Sequence, residues 1–222
     1  MAIKKRCAYC GQSNAETVDH VIPRCLYPES TGSLVQRLTV PACGVCNKSW
    51  SDDEAHFRAM MTLAGEANAV ATELWKGKVA RSFRAADGKR RFLDVWANME
   101  AVQTPSGERH RIFPASDPRF IRVLRKIVRG LHYHHQLWHP VPDDMVGADL
   151  LRSEVPEEIT EAIAKYHLGR EVFEYQFETF DEFPDIPMSS AWLLTFFGNK
   201  RFAGWVWKTT DGSEAVLTER RD

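Results

Sequence analysis

Two Cys-x-x-Cys pairs constrain the fold of this chain more than any other feature of its sequence. The four thiols belong to Cys7, Cys10, Cys43 and Cys46. Each pair can turn tightly enough to place two thiolates on one ion, and four thiolates match the tetrahedral site of a structural Zn²⁺. The odd thiol of Cys25 does not suit a disulfide framework. We therefore expect a structural zinc that closes the chain between the pairs into a loop. The alternative is four buried cysteines that bind no metal ion.

The size and composition of the chain are those of an ordinary globular protein. Its 222 residues are enough for one or two domains, and 44% hydrophobic with 27% charged residues is typical of soluble proteins. No apolar run is long enough to cross a bilayer, and the basic start MAIKKRCAYC lacks the apolar region of a secretory signal. We therefore expect a cytoplasmic protein without a membrane partner, in a compartment where paired thiols bind metal more often than they form disulfides.

The net charge of −1 conceals two oppositely charged regions. Residues 76–129 hold fourteen Lys and Arg against five Asp and Glu, a balance of +9. Residues 140–222 hold eight Lys and Arg against seventeen Asp and Glu, a balance of −9. The basic region favours a nucleic-acid partner, and the alternative is that the two regions pair with each other.

The spacing of apolar residues predicts both helices and strands in the first half of the chain. We expect loops and short strands up to about residue 42, and helix over residues 43–77 with an interruption at Gly65. Residues 90–116 are expected to form a β-hairpin with residues 92–97 on its first arm and its turn at TPSGE.

The second half begins with a strong helical pattern over residues 117–139. Asp117 is a suitable N-cap for this helix, and Pro118 is a suitable first helical residue. A second helix is expected from Pro156 to Gly169. The remainder alternates apolar and polar residues around turns at GNK and DGS, which predicts an antiparallel sheet rich in aromatic residues.

Three segments, CAYCG, VDHVIPR and VPACGVCNKSWSDDE, follow one another in residues 5–58. Together they resemble the HNH endonucleases, the ββα-metal nucleases that carry a four-cysteine zinc site. The resemblance covers about a quarter of the chain. It implies an α+β protein in which a small zinc-stapled, treble-clef-like ββα-metal unit in residues 1–60 precedes a larger α+β part with an antiparallel sheet. We divide that part into a basic segment, residues 61–139, and an acidic segment, residues 140–222, although both can form one domain.

The resemblance also implies an active site. His20 takes the role of the general base that activates water, which suits an imidazole near neutral pH. Asp19 and Asn47 take the role of ligands to one divalent cation, and two oxygen ligands leave room for water and phosphate as Mg²⁺ or Mn²⁺ prefers. The family's middle asparagine, which fixes the loop that carries the base, has no counterpart. Leu38 lies about where it is expected, and Gln36 and Thr39 are the alternatives.

The helical pattern after Asp117 also carries a row of basic residues. The predicted nucleic-acid contacts on this cationic face are Arg119, Arg122, Lys126 and Arg129, which are three or four residues apart. Lys89, Arg90 and Arg91 can extend the surface. The alternative is a solvated charged face. The neighbouring histidines, His132, His134, His135 and His139, are more typical of packing or surface positions than of a second metal site.

The sequence therefore leads to two hypotheses about function. The first is a metal-dependent endonuclease that hydrolyses phosphodiester bonds in DNA, most simply double-stranded DNA, with RNA as a further possibility. Because one active site cuts one strand at a time, double-strand cleavage needs a homodimer or sequential nicks. The second hypothesis is a non-catalytic zinc-stapled module that binds nucleic acid.

Overall fold

The structure is a computed structural model that describes residues 5–208 except 13, 32–34, 36, 66, 104, 115–116 and 170. The predicted turn at DGS and the side chain of Gln36 lie outside the described residues. The helices are α1 (Gly44–Lys48), α2 (Ser51–Leu63), α3 (Ala69–Leu74), α4 (Ala80–Phe83), α5 (Gly88–Asn98), α6 (Pro118–His134) and α7 (Glu157–Ala162). The strands are β1 (Thr17–His20), β2 (Thr39–Ala42), β3 (Glu100–Gln103), β4 (Arg109–Ile112), β5 (Val146–Leu150), β6 (Lys165–Leu168), β7 (Phe173–Thr179), β8 (Met188–Phe196) and β9 (Lys200–Trp207). A π-helical turn, Trp75–Val79, joins α3 to α4. Among these described helices, none combines the length and the apolar character needed to cross a bilayer.

The fold begins with an antiparallel hairpin and the helices that follow it. Strand β1 pairs with β2 so that Asp19 lies opposite Val40 and His20 opposite Thr39. Helix α1 follows β2 after one residue, and α2 follows α1 after two. Gly65 adopts a φ of +66° just after α2, so the predicted interruption of the helical segment is confirmed.

The C-terminal half contains a five-stranded antiparallel sheet with the strand order β5-β9-β8-β7-β6. Aromatic and aliphatic side chains on one face of β7, β8 and β9 are buried, as period-two alternation predicts for a sheet that covers a core. The predicted antiparallel sheet and the mixed α+β class are therefore confirmed.

Helix α6 packs between the N-terminal hairpin and this sheet. It contacts α2 and β2 on one side and β5 and β9 on the other. Two glycines permit the close approach: a Cβ on Gly130 would lie 2.9 Å from Val21 Cγ1, and one on Gly204 would lie 2.5 Å from Val128 Cγ2. The buried apolar residues on both sides of α6 form one connected core.

The start of α6 has the predicted cap. The Asp117 carboxylate accepts hydrogen bonds from the backbone N–H of Arg119 at 2.9 Å and of Phe120 at 3.3 Å, and Pro118 is the first helical residue. The helix is also joined to α2 by the buried pair of His56 Nε2 and Asp117 Oδ2, which are 2.6 Å apart.

The predicted first arm of the central hairpin is wrong, because residues 92–97 belong to helix α5. Phe92 and Trp96, four residues apart, stack with ring centroids 5.8 Å apart, and Val95 on the same face is buried. This spacing is helical, and burial of that face outweighs the strand propensity of its residues. A hairpin does form around the predicted turn, from β3 and β4.

The helix predicted from Pro156 to Gly169 is too long. Helix α7 ends at Ala162, and residues 165–168 form β6 at the edge of the sheet. Pairing with β7 satisfies the backbone of this segment in place of helical hydrogen bonds.

Candidate metal centre and catalytic pair

The four paired cysteines converge at one point. The Sγ atoms of Cys7, Cys10, Cys43 and Cys46 all lie within 4.8 Å of one another. The Sγ atoms of Cys10 and Cys43 are 3.9 Å apart, close to the roughly 3.8 Å that separates two thiolates bound tetrahedrally to zinc at about 2.3 Å. The cluster could therefore hold one metal ion. Among the described residues, no other group of three or more His, Cys, Asp or Glu side chains is close enough to do so.

The backbone conformation and backbone hydrogen bonds near the four cysteines help to form this cluster. Gly11 follows the first pair with a φ of +69°, and a Cβ there would lie 2.8 Å from Pro140 Cγ. Cys43 is the N-cap of α1, and its Sγ accepts a hydrogen bond from the backbone N–H of Cys46 at 3.4 Å. Burial raises the pKa of Cys7, but backbone hydrogen bonds from Cys43, Cys10 and Tyr9 outweigh it and bring the pKa to about 7. The site thus favours a thiolate at Cys7, the form that binds metal.

Asp19 lies on β1 and is almost completely buried. Its Oδ2 atom accepts a hydrogen bond from Tyr9 Oη at 2.6 Å and is 2.8 Å from Lys126 Nζ on α6. Both contacts use the same carboxylate oxygen. A cation at Asp19 would therefore bind the other oxygen, Oδ1, next to an ammonium group that already neutralises part of the charge.

His20 follows Asp19 and is only partly buried. Burial lowers its pKa; Asp19 opposes this shift, while the positive charges of Arg37, Arg24 and Lys126 add to it. The imidazole is therefore neutral near pH 7, which leaves one ring nitrogen able to accept a proton.

Asn47 lies on α1 and contacts β1 rather than Asp19 directly. Its Nδ2 donates to Thr17 Oγ1 at 3.0 Å and to the backbone oxygen of Val18 at 3.4 Å. Thr17 and Asp19 are two residues apart on one strand and so share a face of the hairpin. Both hydrogen bonds use the amide nitrogen, so neither occupies Oδ1, the atom that would bind a cation. Asn47 thus reaches the face of β1 that carries Thr17 and Asp19, whereas the same alternation places His20, the next residue of the strand, on the opposite face.

The stretch that lacks the expected asparagine leads into β2, and Leu38 directly precedes the strand. The backbone oxygen of Leu38 accepts a hydrogen bond from Val21 N at 3.0 Å, and its side chain packs against the core. Thr39 is exposed and pairs with His20 across the hairpin. The alternative at Gln36 lies outside the described part of the chain.

The predicted cationic face of α6 is wrong for two of its four residues. Lys126 has no exposed surface, and Arg129 is 7% exposed. Arg129 donates to the backbone oxygens of Tyr9 and Val141, which ties the first cysteine pair to the end of α6. The local sequence gives no sign of this burial, because the acceptors come from distant segments.

The other two predicted contacts remain accessible but are ion-paired. Arg119 lies 2.8 Å from Asp94, and Arg122 lies 2.8 Å from Asp53, with 37% and 46% of their side chains exposed. Lys89 and Arg90 on α5 are exposed, whereas Arg91 is partly buried and bonds the backbone oxygen of Ser82.

The histidines at the end of α6 and just after it occupy packing or surface positions, as the sequence predicts: His132 is buried and His134 is exposed. His132 is buried between Ser190 Oγ at 2.7 Å and the backbone oxygen of Trp138 at 3.0 Å. His135 bonds Tyr175 Oη at 2.8 Å. Residues that sequence reasoning missed are Tyr9 and Glu54, which complete the polar environment of Asp19 and Lys126.

Comparison of the chain with known protein families, with curated proteins and with solved structures finds no match. The geometry of the site and its chemistry therefore carry the functional argument.

Proposed function

We propose that the protein is a metal-dependent endonuclease of the HNH type that hydrolyses phosphodiester bonds in DNA. The observation that carries this proposal is the placement of three side chains on one small unit. His20 and Asp19 are adjacent on β1, and Asn47 reaches the same strand from the helix that follows β2. This hairpin-and-helix arrangement accords with the resemblance of residues 5–58 to ββα-metal nucleases.

In this proposal the cysteine cluster holds a structural Zn²⁺. The four thiols fit zinc by number, by ligand type and by their mutual separation. Because four thiolates close the coordination sphere, this ion has no open position for substrate. Its role is to fix α1, which carries Asn47, against the segment that precedes β1.

His20 would act on the attacking water. Its neutral ring nitrogen accepts a proton as the water oxygen bonds to phosphorus and the bond from phosphorus to the leaving 3′ oxygen breaks. Asp19 Oδ1 and Asn47 Oδ1 are hard oxygen ligands suited to Mg²⁺ or Mn²⁺. When bound, such a cation supplies positive charge to the scissile phosphate and the leaving oxygen.

Basic residues near His20 would hold the substrate backbone. Arg24 is exposed, Arg37 is partly buried, and the charges of both act on the His20 imidazole. Arg119 and Arg122 offer further partly exposed guanidinium groups on α6. Guanidinium groups bind phosphate independently of base sequence. Such contacts suit the DNA backbone and can equally be made to the RNA backbone.

A plasmid-nicking assay with added Mg²⁺ or Mn²⁺ tests the proposal. Wild-type protein is expected to convert supercoiled DNA to the nicked form, and His20→Ala is expected to lose this activity while retaining its metal content and DNA binding. Equal nicking by both proteins would refute the role of His20.

One observation favours the alternative of a non-catalytic zinc-stapled nucleic-acid-binding module. Asp19 Oδ2 is already engaged by Tyr9 and Lys126, so the carboxylate offers a divalent cation one oxygen and a reduced charge. On this alternative the wild type binds nucleic acid but nicks neither DNA nor RNA with either cation.

A further inference from the structure

Lys126 is the most completely enclosed charged group in the described part of the chain, with 0% of its surface exposed. Its Nζ lies 3.0 Å from the backbone oxygen of His20, 2.8 Å from Asp19 Oδ2 and 2.5 Å from Glu54 Oε1. An ammonium group has three N–H donors, so these three acceptors use all of them. Lys126 therefore links α6 to β1 and to α2 in one fixed arrangement.

The cost of burying this ammonium explains why the arrangement is fixed. A buried charge without partners is strongly unfavourable, and removing one partner of a buried pair leaves an uncompensated charge. Any shift of β1 away from α6 would break two of the three contacts of Lys126 at once. Two of those contacts are made to Asp19 and His20, the adjacent residues proposed to carry the chemistry.

A second contact between α6 and the end of β1 is independent of charge. Gly130 lies one helical turn after Lys126 and so faces the same side of α6. At this position Val21, the residue after His20, is so close that a Cβ on Gly130 would lie 2.9 Å from both of its methyl carbons. Helix α6 thus holds the chain on both sides of the His20 peptide, through the carbonyl of His20 and the side chain of Val21.

We propose that Lys126 is a positioning residue for the nuclease reaction. It fixes the backbone that carries His20 and engages Asp19 Oδ2, which leaves Oδ1 as the oxygen available to the cation. This inference rests on the proposed function. Lys126 would perform the task that the family resemblance assigns to an asparagine absent near Leu38, although it comes from a helix more than 100 residues away in the chain.

The proposal predicts opposite effects on rate and on cation binding when Lys126 is removed. In Lys126→Met the His20 backbone loses its anchor, so kcat should fall by roughly 10- to 100-fold, as expected for misplacement of a catalytic group. The same change removes a positive charge beside Asp19, so the Mn²⁺ concentration that gives half-maximal activity should also fall, by several-fold. Lys126→Gln keeps a hydrogen-bond donor and should retain more of kcat than Lys126→Met.

Asp117→Asn is the matched control. It weakens the buried hydrogen bond of His56 with Asp117, which joins α2 to the start of α6, yet preserves the N-cap and does not touch β1. This variant should keep the wild-type kcat and Mn²⁺ dependence at a comparable loss of thermal stability. Metal content and near-ultraviolet circular dichroism, measured on the full chain, establish that each variant is folded.

Three results would overturn the inference. An unchanged kcat in folded Lys126→Met would show that Lys126 does not position His20, while the nuclease proposal would stand. A fall in kcat accompanied by weaker Mn²⁺ activation, equal in Lys126→Met and Asp117→Asn, would indicate general destabilisation only. Absence of nicking by the wild type would overturn the nuclease proposal and this inference together.

Discussion

Loss of the ion from the cysteine cluster is expected to remove a large part of the stability of the N-terminal unit. A metal bound by both cysteine pairs cross-links the chain between Cys10 and Cys43, which are 33 residues apart. The loop-closure relation derived for disulfides gives about 4 kcal/mol for a cross-link of this span. Since domains are commonly stable by only about 5–15 kcal/mol, a loss of this size should be plain in equilibrium unfolding.

The assay is urea unfolding followed by far-ultraviolet circular dichroism, with zinc per chain measured by mass spectrometry. Chelation of the wild type and the substitution Cys10→Ser should each lower the unfolding midpoint and release zinc. Cys25→Ala is the control, because Cys25 lies outside the cluster and its Sγ contacts the backbone oxygen of Glu54 at 3.5 Å. This control should bind one zinc per chain. Full stability and unchanged metal content in Cys10→Ser would refute the reasoning, as would a wild type without zinc.

Three further predictions concern α6. Burial lowers the pKa of His132 to about 4, compared with 6.5 in the unfolded chain. Between these two pH values the unfolded chain binds one proton more than the folded chain. The free energy of unfolding should therefore fall by up to about 3 kcal/mol as the pH drops from 6.5 to 4. Urea unfolding of wild type and His132→Gln across this range tests it, and equal pH slopes would contradict it. Gly130→Ala should force Val21 away from α6 and cost about 1–3 kcal/mol by overpacking, and a thermal midpoint equal to that of the wild type would argue against this contact. Neutralising Arg119 and Arg122 together should weaken DNA binding. It should also reduce the slope of the logarithm of the binding constant against the logarithm of the salt concentration by the equivalent of up to two phosphate contacts. An unchanged slope in fluorescence anisotropy titrations would show that DNA binds elsewhere on the protein.

The features that the sequence could predict are those encoded by local patterns. Paired cysteines at fixed spacing predicted a four-thiol cluster, which the structure contains. Asp117 followed by Pro118 predicted the start of α6, because capping depends on residues within one turn. Alternating aromatic residues predicted the antiparallel sheet, since burial of one face has a period of two.

The features that the sequence could not predict depend on tertiary partners. Lys126 looked like a surface residue of a basic helix, and only the fold brings Asp19 and Glu54 to its ammonium group. Residues 92–97 form a helix, not the predicted strand, and Phe92 and Trp96 have helical spacing. A short segment of mixed apolar and polar residues is compatible both with the helical period of about 3.6 residues and with the strand period of two, so its sequence alone does not decide between them. The proposed site shows the same division: Asp19, His20 and Asn47 are named from the motif, whereas the contact of Lys126 with the backbone oxygen of His20 depends on the fold.

The nicking rate of His20→Ala tests the central claim most directly. Under single turnover with Mn²⁺, the wild type should nick supercoiled plasmid, and His20→Ala should be slower by roughly 10²- to 10⁴-fold, the usual contribution of a general base. His167→Ala replaces an exposed histidine on β6 and should leave the rate unchanged. A His20→Ala protein that binds zinc and DNA yet nicks at the wild-type rate would contradict the account.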